Sequence, residues 1–401
     1  QKAACAVRWP GRVGRVQKAA CAVRSPGPVS RAGKAARLGR SARGLPAALA
    51  ALAVVLGSAV PAQADRARDK QWFWKPLGVE QAQRISQGAG VVVAVLDSGV
   101  DARHQDLRGA VGAGRQVVQN KPAGNLDTVG HGTGMAGIIA GRGHGDGAGV
   151  LGIAPRAEIM PITPANDAYF VGQGIRWAAG HGAKVIVLAF AIDDGENLRA
   201  AVSEAAAADV VLVGTSGNSG DKGNEPEYPG AYPQVLTVGA VDRRNKVAAF
   251  STHGPQVDLV APGVDIPAPA PGNEYVTGTG TSAAAAIVAG AAALIRARHP
   301  ELRAADVVQR LTGTAIDRGD RGRDDYYGFG QLDLLAALND RTTVQPSTPQ
   351  VTAPAPAPVA VPADDDGGGV PPLVFVAAGV VLLLGAAVGA VLVARSRRGA
   401  R

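Results

Sequence analysis

A chain of 401 residues, 46% of them apolar, has room for one large domain plus extra segments. The formal charge of +8 misleads: residues 1–44 hold eleven Lys/Arg and no acid, and residues 395–401 hold four Arg and no acid, leaving 26 basic against 33 acidic residues between them. That acidic middle excludes a basic face for nucleic acid, and the two cysteines, Cys5 and Cys21, both lie upstream, so the globular part has neither disulfides nor thiolate metal sites.

In chain order, QKAACAVRWPG at 1–11 and QKAACAVRSPG at 17–27 form a near repeat. Two polar copies are too few for a repeat architecture, and the stretch reads as upstream sequence outside the functional protein. Residues 1–44 then combine this basic segment with a signal-peptide n-region, and 45–64 supply an apolar run and the small-x-small site Ala62-Gln63-Ala64. Basic, then apolar, then a cleavage motif is the pattern export requires, with an N-terminal membrane anchor as the competing reading.

Residues 65–340 alternate short apolar runs with helical stretches. Val91–Leu96, Val185–Phe190, Val210–Gly214 and Val235–Val241 are β-branched runs without in/out alternation, as expected of strands buried on both faces. Helices are predicted at roughly 131–141, 170–180, 196–208 and 281–298. The alternation predicts an α/β fold, a doubly wound, mostly parallel sheet with helices on both faces. In such sheets functional groups gather at the carboxyl ends of the strands. Residues 341–372 are a Pro/Ala-rich linker with an acidic triplet at Asp364–Asp366. Leu373–Ala394 is uncharged and long enough to cross a bilayer as one C-terminal transmembrane helix. The basic tail 395–401 marks the cytoplasmic side and leaves the globular domain extracytoplasmic, at the cell membrane.

Three residues stand where chemistry is expected. Asp97 ends the first apolar run in VVVAVLDSGVD, where the plain alternative is a turn or capping Asp. His131 opens HGTGMAGIIAG at a predicted helix start among glycines that permit close backbone approach. Ser282 sits in GTGTSAAAAIVAG, again at a helix start, where a serine is commonly a cap and its hydroxyl would otherwise stand exposed at the dipole's positive end. His104, His144, His181, His253 and His299 lack such settings and read as surface residues. Asp193-Asp194 and Asp364–Asp366 read as solvated loops rather than Ca²⁺ sites. No metal and no cofactor is expected.

Asp, His and Ser in that order, at spacings of 34 and 151 residues, follow the subtilisin order rather than the chymotrypsin or α/β-hydrolase order. The three blocks resemble the signatures of subtilisin-like serine proteases. A fourth, VLVGTSGNSG at 211–220, resembles the family's oxyanion segment with Asn218 as side-chain donor, although Ser-Gly-Asn-Ser-Gly is also ordinary turn composition. His104-x-Asp106-Leu107, FSTHG at 250–254 and APG at 261–263 agree as well. The resemblance spans about 85–335 and implies a serine endopeptidase acting through Asp97, His131, Ser282 and Asn218 on protein or peptide substrates. Signal peptide, Pro-rich linker and C-terminal helix together look like mycosins, the subtilases associated with type VII secretion. This implies cleavage of exported proteins beside membrane components of a secretion complex. The alternative is a structural subtilase-fold component of that complex whose proteolysis is dispensable.

Three departures from the family pattern are visible. The substrate-facing segment, usually like Val-Ile-Asn-x-Ser-x-Gly, ends here in Ala189-Phe190-Ala191, which puts access to the cleft in question and suggests narrow specificity or low general activity. Ala286 stands where a proline is usual after the nucleophile. Cysteines found in some mycosin domains are missing from this one.

Overall fold

The computed structural model describes residues 67–123, 126–145 and 147–339, all within one compact unit, Gln1–Thr343. The expected signal peptide at 45–64, the linker at 341–372, the membrane helix at 373–394 and the tail lie outside the described residues.

The elements run α1 (Val79–Ile85), β1 (Val92–Leu96), β2 (Arg115–Gln116), β3 (Lys121–Pro122), α2 (His131–Ala140), β4 (Arg142–His144), β5 (Ala148–Leu151), β6 (Glu158–Thr163), α3 (Ala168–Gly180) and β7 (Val185–Leu188). They continue with α4 (Glu196–Ala207), β8 (Val211–Thr215), β9 (Leu236–Val241), β10 (Leu259–Pro262), β11 (Ile266–Ala270), β12 (Glu274–Gly278), α5 (Thr281–Arg298), α6 (Ala304–Gly313) and α7 (Leu334–Asn339). The four predicted strands and four predicted helices are all present, within two residues at each end.

Eight strands form one sheet in the order β10-β9-β8-β7-β1-β6-β2-β3. Every neighbouring pair from β10 to β2 is parallel, and β3 closes the edge antiparallel. The chain leaves β1 for β6 on one side and then returns to β7 on the other, so the strand order reverses at β1. A crevice opens at such a reversal, outside the carboxyl ends of the strands.

Both faces of the sheet are buried, which is why the strands read as unbroken apolar runs. Val93, Val95, Val185, Val187 and Val213 pack under α2 and α5 on one face. Ala94, Leu96, Ile186, Leu188 and Leu212 pack under α3 and α4 on the other. Each valine, leucine or isoleucine among them stabilises the fold by about 1.5–3 kcal/mol when fully buried.

Helix α5 has a different character. Residues 281–296 are all buried, and nine of the eighteen positions in TSAAAAIVAGAAALIRAR are alanine, the strongest helix former. With a mean hydropathy of 1.2 over 18 residues it is long and apolar enough to span a membrane, yet it is the central core helix of this domain. Small side chains on α2 and α5 let the two helices pack close together on one face of the sheet. That packing brings their N-termini to the same end of it.

Candidate active site

Three neighbouring strands, β8, β7 and β1, end side by side at the crevice. β1 delivers Asp97, β7 delivers Ala189, and β8 runs into Ser216-Gly217-Asn218. From above, α2 and α5 aim residues of their first turns, His131 and Ser282, at the same point. A cleft of about 470 Å³ is lined by Asp97, His131, Asn218 and Ser282 together.

Asp97 is fixed first. Its N–H donates to the Ile162 carbonyl of β6 at 2.9 Å, and its Oδ1 accepts the Ser98 N–H at 2.7 Å. Its Oδ2 accepts from His131 Nδ1 at 2.6 Å, a short bond with both side chains largely shielded from water. A carboxylate on Nδ1 holds the proton there, so the neutral ring carries its lone pair on Nε2. The approach needs a glycine: a Cβ at Gly132 would lie 2.1 Å from the Gly99 carbonyl oxygen and 3.0 Å from Asp97 Cβ.

A second carboxylate, which the sequence reading missed, holds the same helix end. Asp127 is buried, and its Oδ1 accepts the Val129 and Gly130 N–H groups at 3.0 and 2.8 Å. Its Oδ2 accepts both the backbone N–H and the hydroxyl of Thr133, at 2.9 and 2.7 Å. Ser98 joins it to the Asp97 turn, donating its hydroxyl to Asp127 Oδ1 at 2.9 Å and accepting the Gly132 N–H at 3.1 Å. These bonds satisfy first-turn donors that a helix leaves open. An Asp four residues before a glycine-opened helix was the available signal.

Ser282 is second in α5 and only 6% exposed, so its hydroxyl is seated in the cleft wall rather than standing out in solvent. That hydroxyl donates to the Ala189 carbonyl at 3.0 Å. Asn218 Oδ1 accepts the Thr281 N–H at 3.0 Å and the Thr281 hydroxyl at 3.2 Å. This pairing sets the amide's orientation, because the opposite flip would face donor against donor. Oδ1 is thus committed to Thr281, and Nδ2 carries the amide's two donor hydrogens. The left-handed residue in this turn is Gly217, at φ 110°, not Asn218, so turn conformation does not account for the asparagine.

Ala189, Phe190 and Ala191 line the cleft, which stays open beside Ala191 despite the missing glycine. The other histidines stay out of it, but not all at the surface. His104 is fully buried: its Nδ1 accepts the Asp106 N–H at 3.1 Å and its Nε2 meets the Glu274 carbonyl at 3.2 Å. His144 is half-buried, its Nδ1 2.6 Å from Asp106 Oδ1. His253 and His299 are half-buried, and His181 is exposed. In the 193–194 loop, Asp194 takes the Tyr232 hydroxyl and the Arg199 guanidinium. Among the described residues no group of three or more His, Cys, Asp or Glu is arranged to hold a metal ion.

The chain matches the peptidase S8 subtilase family over residues 88–330. It is 38% identical to subtilisin DY of Bacillus licheniformis over 259 residues, covering 63% of this chain and 92% of that protein. To subtilisin E of Bacillus subtilis (strain 168) it is 37% identical over 276 residues, covering 65% and 71%. The crystal structure of MycP1 with its N-terminal propeptide removed superposes with a TM-score of 0.59 at 30% identity, covering 67% of this chain and 96% of that one. Fervidolysin from Fervidobacterium pennivorans, a keratinolytic enzyme related to subtilisin, superposes with a TM-score of 0.62 at 31% identity, covering 68% of this chain and 47% of that one. A sheet reversal that carries Asp, His and Ser into one cleft, together with these similarities, makes the chain a member of the subtilase family of serine endopeptidases.

Proposed function

We propose that Ser282 is the nucleophile, His131 its general base, Asp97 the group that orients the imidazole, and Asn218 a donor to the oxyanion. The 2.6 Å Asp97–His131 bond carries this reading most directly, because it leaves the basic nitrogen on the side of the ring away from the carboxylate. On binding a peptide carbonyl, the Ser282 hydroxyl turns from Ala189 and passes its proton to His131 Nε2 as Oγ attacks carbon. The negative oxygen is met by Asn218 Nδ2 and by the Ser282 N–H, which lies in the first turn of α5 where backbone donors have no helical partner. His131 then protonates the leaving amine, and water repeats the sequence on the acyl-enzyme.

The protease domain, 65–340, acts outside the cell, tethered by the 341–372 linker to the single helix 373–394 with 395–401 in the cytoplasm. Its substrates are exported proteins, and its setting is a type VII secretion complex. Similarity to MycP1, a mycosin, supports this setting, as do the export pattern and the apolar segment in the sequence.

Labelling with an uncharged fluorophosphonate tests the chemistry. The adduct is expected on Ser282, absent in Ser282→Ala and strongly slowed in His131→Ala. A modified residue elsewhere, or equal labelling in His131→Ala, would overturn the assignment. Protease added to intact protoplasts should digest the domain and spare a tag at Arg401, and a protected domain would reverse the topology. Normal secretion in cells carrying Ser282→Ala would favour the structural role over proteolysis.

A further inference from the structure

The cleft is walled mostly by apolar side chains, and among the described residues lining it none is Lys or Arg. The acids there are Asp97 and Glu227, and Asp97 is taken by His131. Glu227 is half-buried, and its Oε1 accepts the Ser219 hydroxyl at 2.8 Å. That hydroxyl is itself 3.1 Å from Thr252 Oγ1. The carboxylate is laid flat against the oxyanion segment: a Cβ on Gly217 would come within 2.6 Å of Glu227 Cδ. Glycine at 217, with φ 110°, is what makes room for it. Among the described residues no ion pair engages Glu227. A carboxylate other than that of Asp97 is thus built into a mostly apolar wall, beside the Gly217-Asn218-Ser219 segment.

Its position relative to the scissile bond follows from the catalytic reading, on which this inference rests. The leaving amine must face His131, so the leaving side of the substrate runs past His131, Gly130 and Val129. The carbonyl oxygen faces Asn218, so the residue that contributes that carbonyl projects its side chain between Ala189–Ala191 and Gly217. Glu227 lies beyond Gly217 on that side. We propose that Glu227 is a specificity-determining residue that selects a cationic side chain, arginine or lysine, on the acyl side of the cleaved bond. The apolar Ala189 and Ala191 walls suit the methylene stem of such a residue, and the carboxylate suits its head.

The test uses the full-length enzyme and three fluorogenic peptides that differ only in the residue before the cleaved bond, arginine, leucine or glutamate. Wild type is expected to favour arginine over leucine in kcat/KM. In Glu227→Gln, which keeps an acceptor for Ser219, the arginine-to-leucine ratio should fall by about 10–100-fold, the value of a charge-assisted hydrogen bond. Glu227→Arg should reverse the order in favour of glutamate. A carboxylate serving only the loop would lower all three peptides together and leave the ratio unchanged, and that result, or a wild-type ratio near one, would overturn the inference. Fluorophosphonate labelling separates the two readings. Ser282 labelled with no arginine preference removes the role of Glu227 alone, whereas no labelling of Ser282 removes both.

Discussion

Gly132→Ala should inactivate the enzyme more than it unfolds it. The added Cβ would sit 2.1 Å from the Gly99 carbonyl oxygen, whereas ordinary C···O contacts begin at about 3.3 Å. The two backbones must part by about 1 Å to restore contact, and neither is a flexible side chain that can swing aside. One belongs to the first turn of α2 and the other to the turn that follows Asp97. Moving them apart carries His131 from Asp97, and a 2.6 Å bond stretched by that amount is no longer a hydrogen bond. At the proposed catalytic pair a misplacement of this size should cost about 10²-fold in rate, and complete loss of the proposed orienting role of the carboxylate sets a limit near 10⁴-fold, as an order of magnitude of about that size. Overpacking of this kind destabilises by about 1–3 kcal/mol, which lowers Tm by roughly 2–4 °C per kcal/mol for a domain of this size. Peptide hydrolysis normalised by active-site titration, with thermal unfolding in parallel, measures both effects. Gly313→Ala is the control, since a Cβ there meets nothing within 4 Å. If Gly132→Ala kept kcat/KM within threefold of wild type, close approach at this glycine would not be what sets the Asp97–His131 geometry.

Asp127→Ala strips the acceptors from three backbone N–H groups and two hydroxyls at the head of α2 and should cost about 2–4 kcal/mol, read by denaturant unfolding, with a fall in kcat. Burial holds the His104 imidazole below its ordinary value near 6.5 against the opposing pull of Asp106 and Asp101. The folded chain therefore binds fewer protons than the unfolded one, and stability is lost as pH falls from about 6.5 toward the depressed folded value; His104→Asn should flatten Tm against pH in that window, and an unchanged slope would refute this origin. Asn218→Leu should lower kcat by about 10²–10³-fold, as for loss of one oxyanion donor, and also lower Tm, because Asn218 Oδ1 accepts the Thr281 N–H. Asn218→Asp keeps that acceptor but sets a charge against the oxyanion, so its Tm should exceed that of the leucine variant while its kcat is no higher.

The sequence made legible what packing writes locally. Runs such as Val185-Ile186-Val187-Leu188 are apolar throughout because both faces of the strand are covered, and the alanines of α5 report a helix buried all round. Strands that carry proline were not legible. β6 holds Pro161, β10 ends in Pro262, and β11 reads Ile-Pro-Ala-Pro-Ala, compositions that argue against a strand unless the missing N–H falls outside the ladder. Charged groups that act across the fold were equally hidden. Asp127 and Glu227 sit in segments, NLDTVG and NEPEYPG, whose composition reads as solvated turns. His104 looked like a surface residue because the packing that buries it and the Glu274 carbonyl at its Nε2 are supplied only by the tertiary structure.

The aromatic content of the chain is low, 4%, and this bears on the site as well as on the core. Strand ends at a sheet reversal lie about 4.8 Å apart, which fixes the spacing of Asp97, Ala189 and the Asn218 segment without help from side chains. His131 and Ser282 instead depend on how closely two helices approach the sheet and each other. At Gly132 the α2 backbone meets that of Gly99 directly, while Gly137 of α2 and Gly290 of α5 leave room for Pro269 and Ile153. A larger residue on either face would displace a helix N-terminus by the size of its added atoms, and the proposed catalytic pairs span under 3 Å at their shortest. Tolerance should therefore differ sharply between the two faces of the sheet. Volume added under α3 and α4 strains a core that bears no catalytic group of its own, whereas volume added under α2 and α5 is transmitted directly to His131 and Ser282. Substitutions of equal size at Ala201 in α4 and Ala136 in α2, both fully buried, should cost comparable stability, and only the second should also lower kcat.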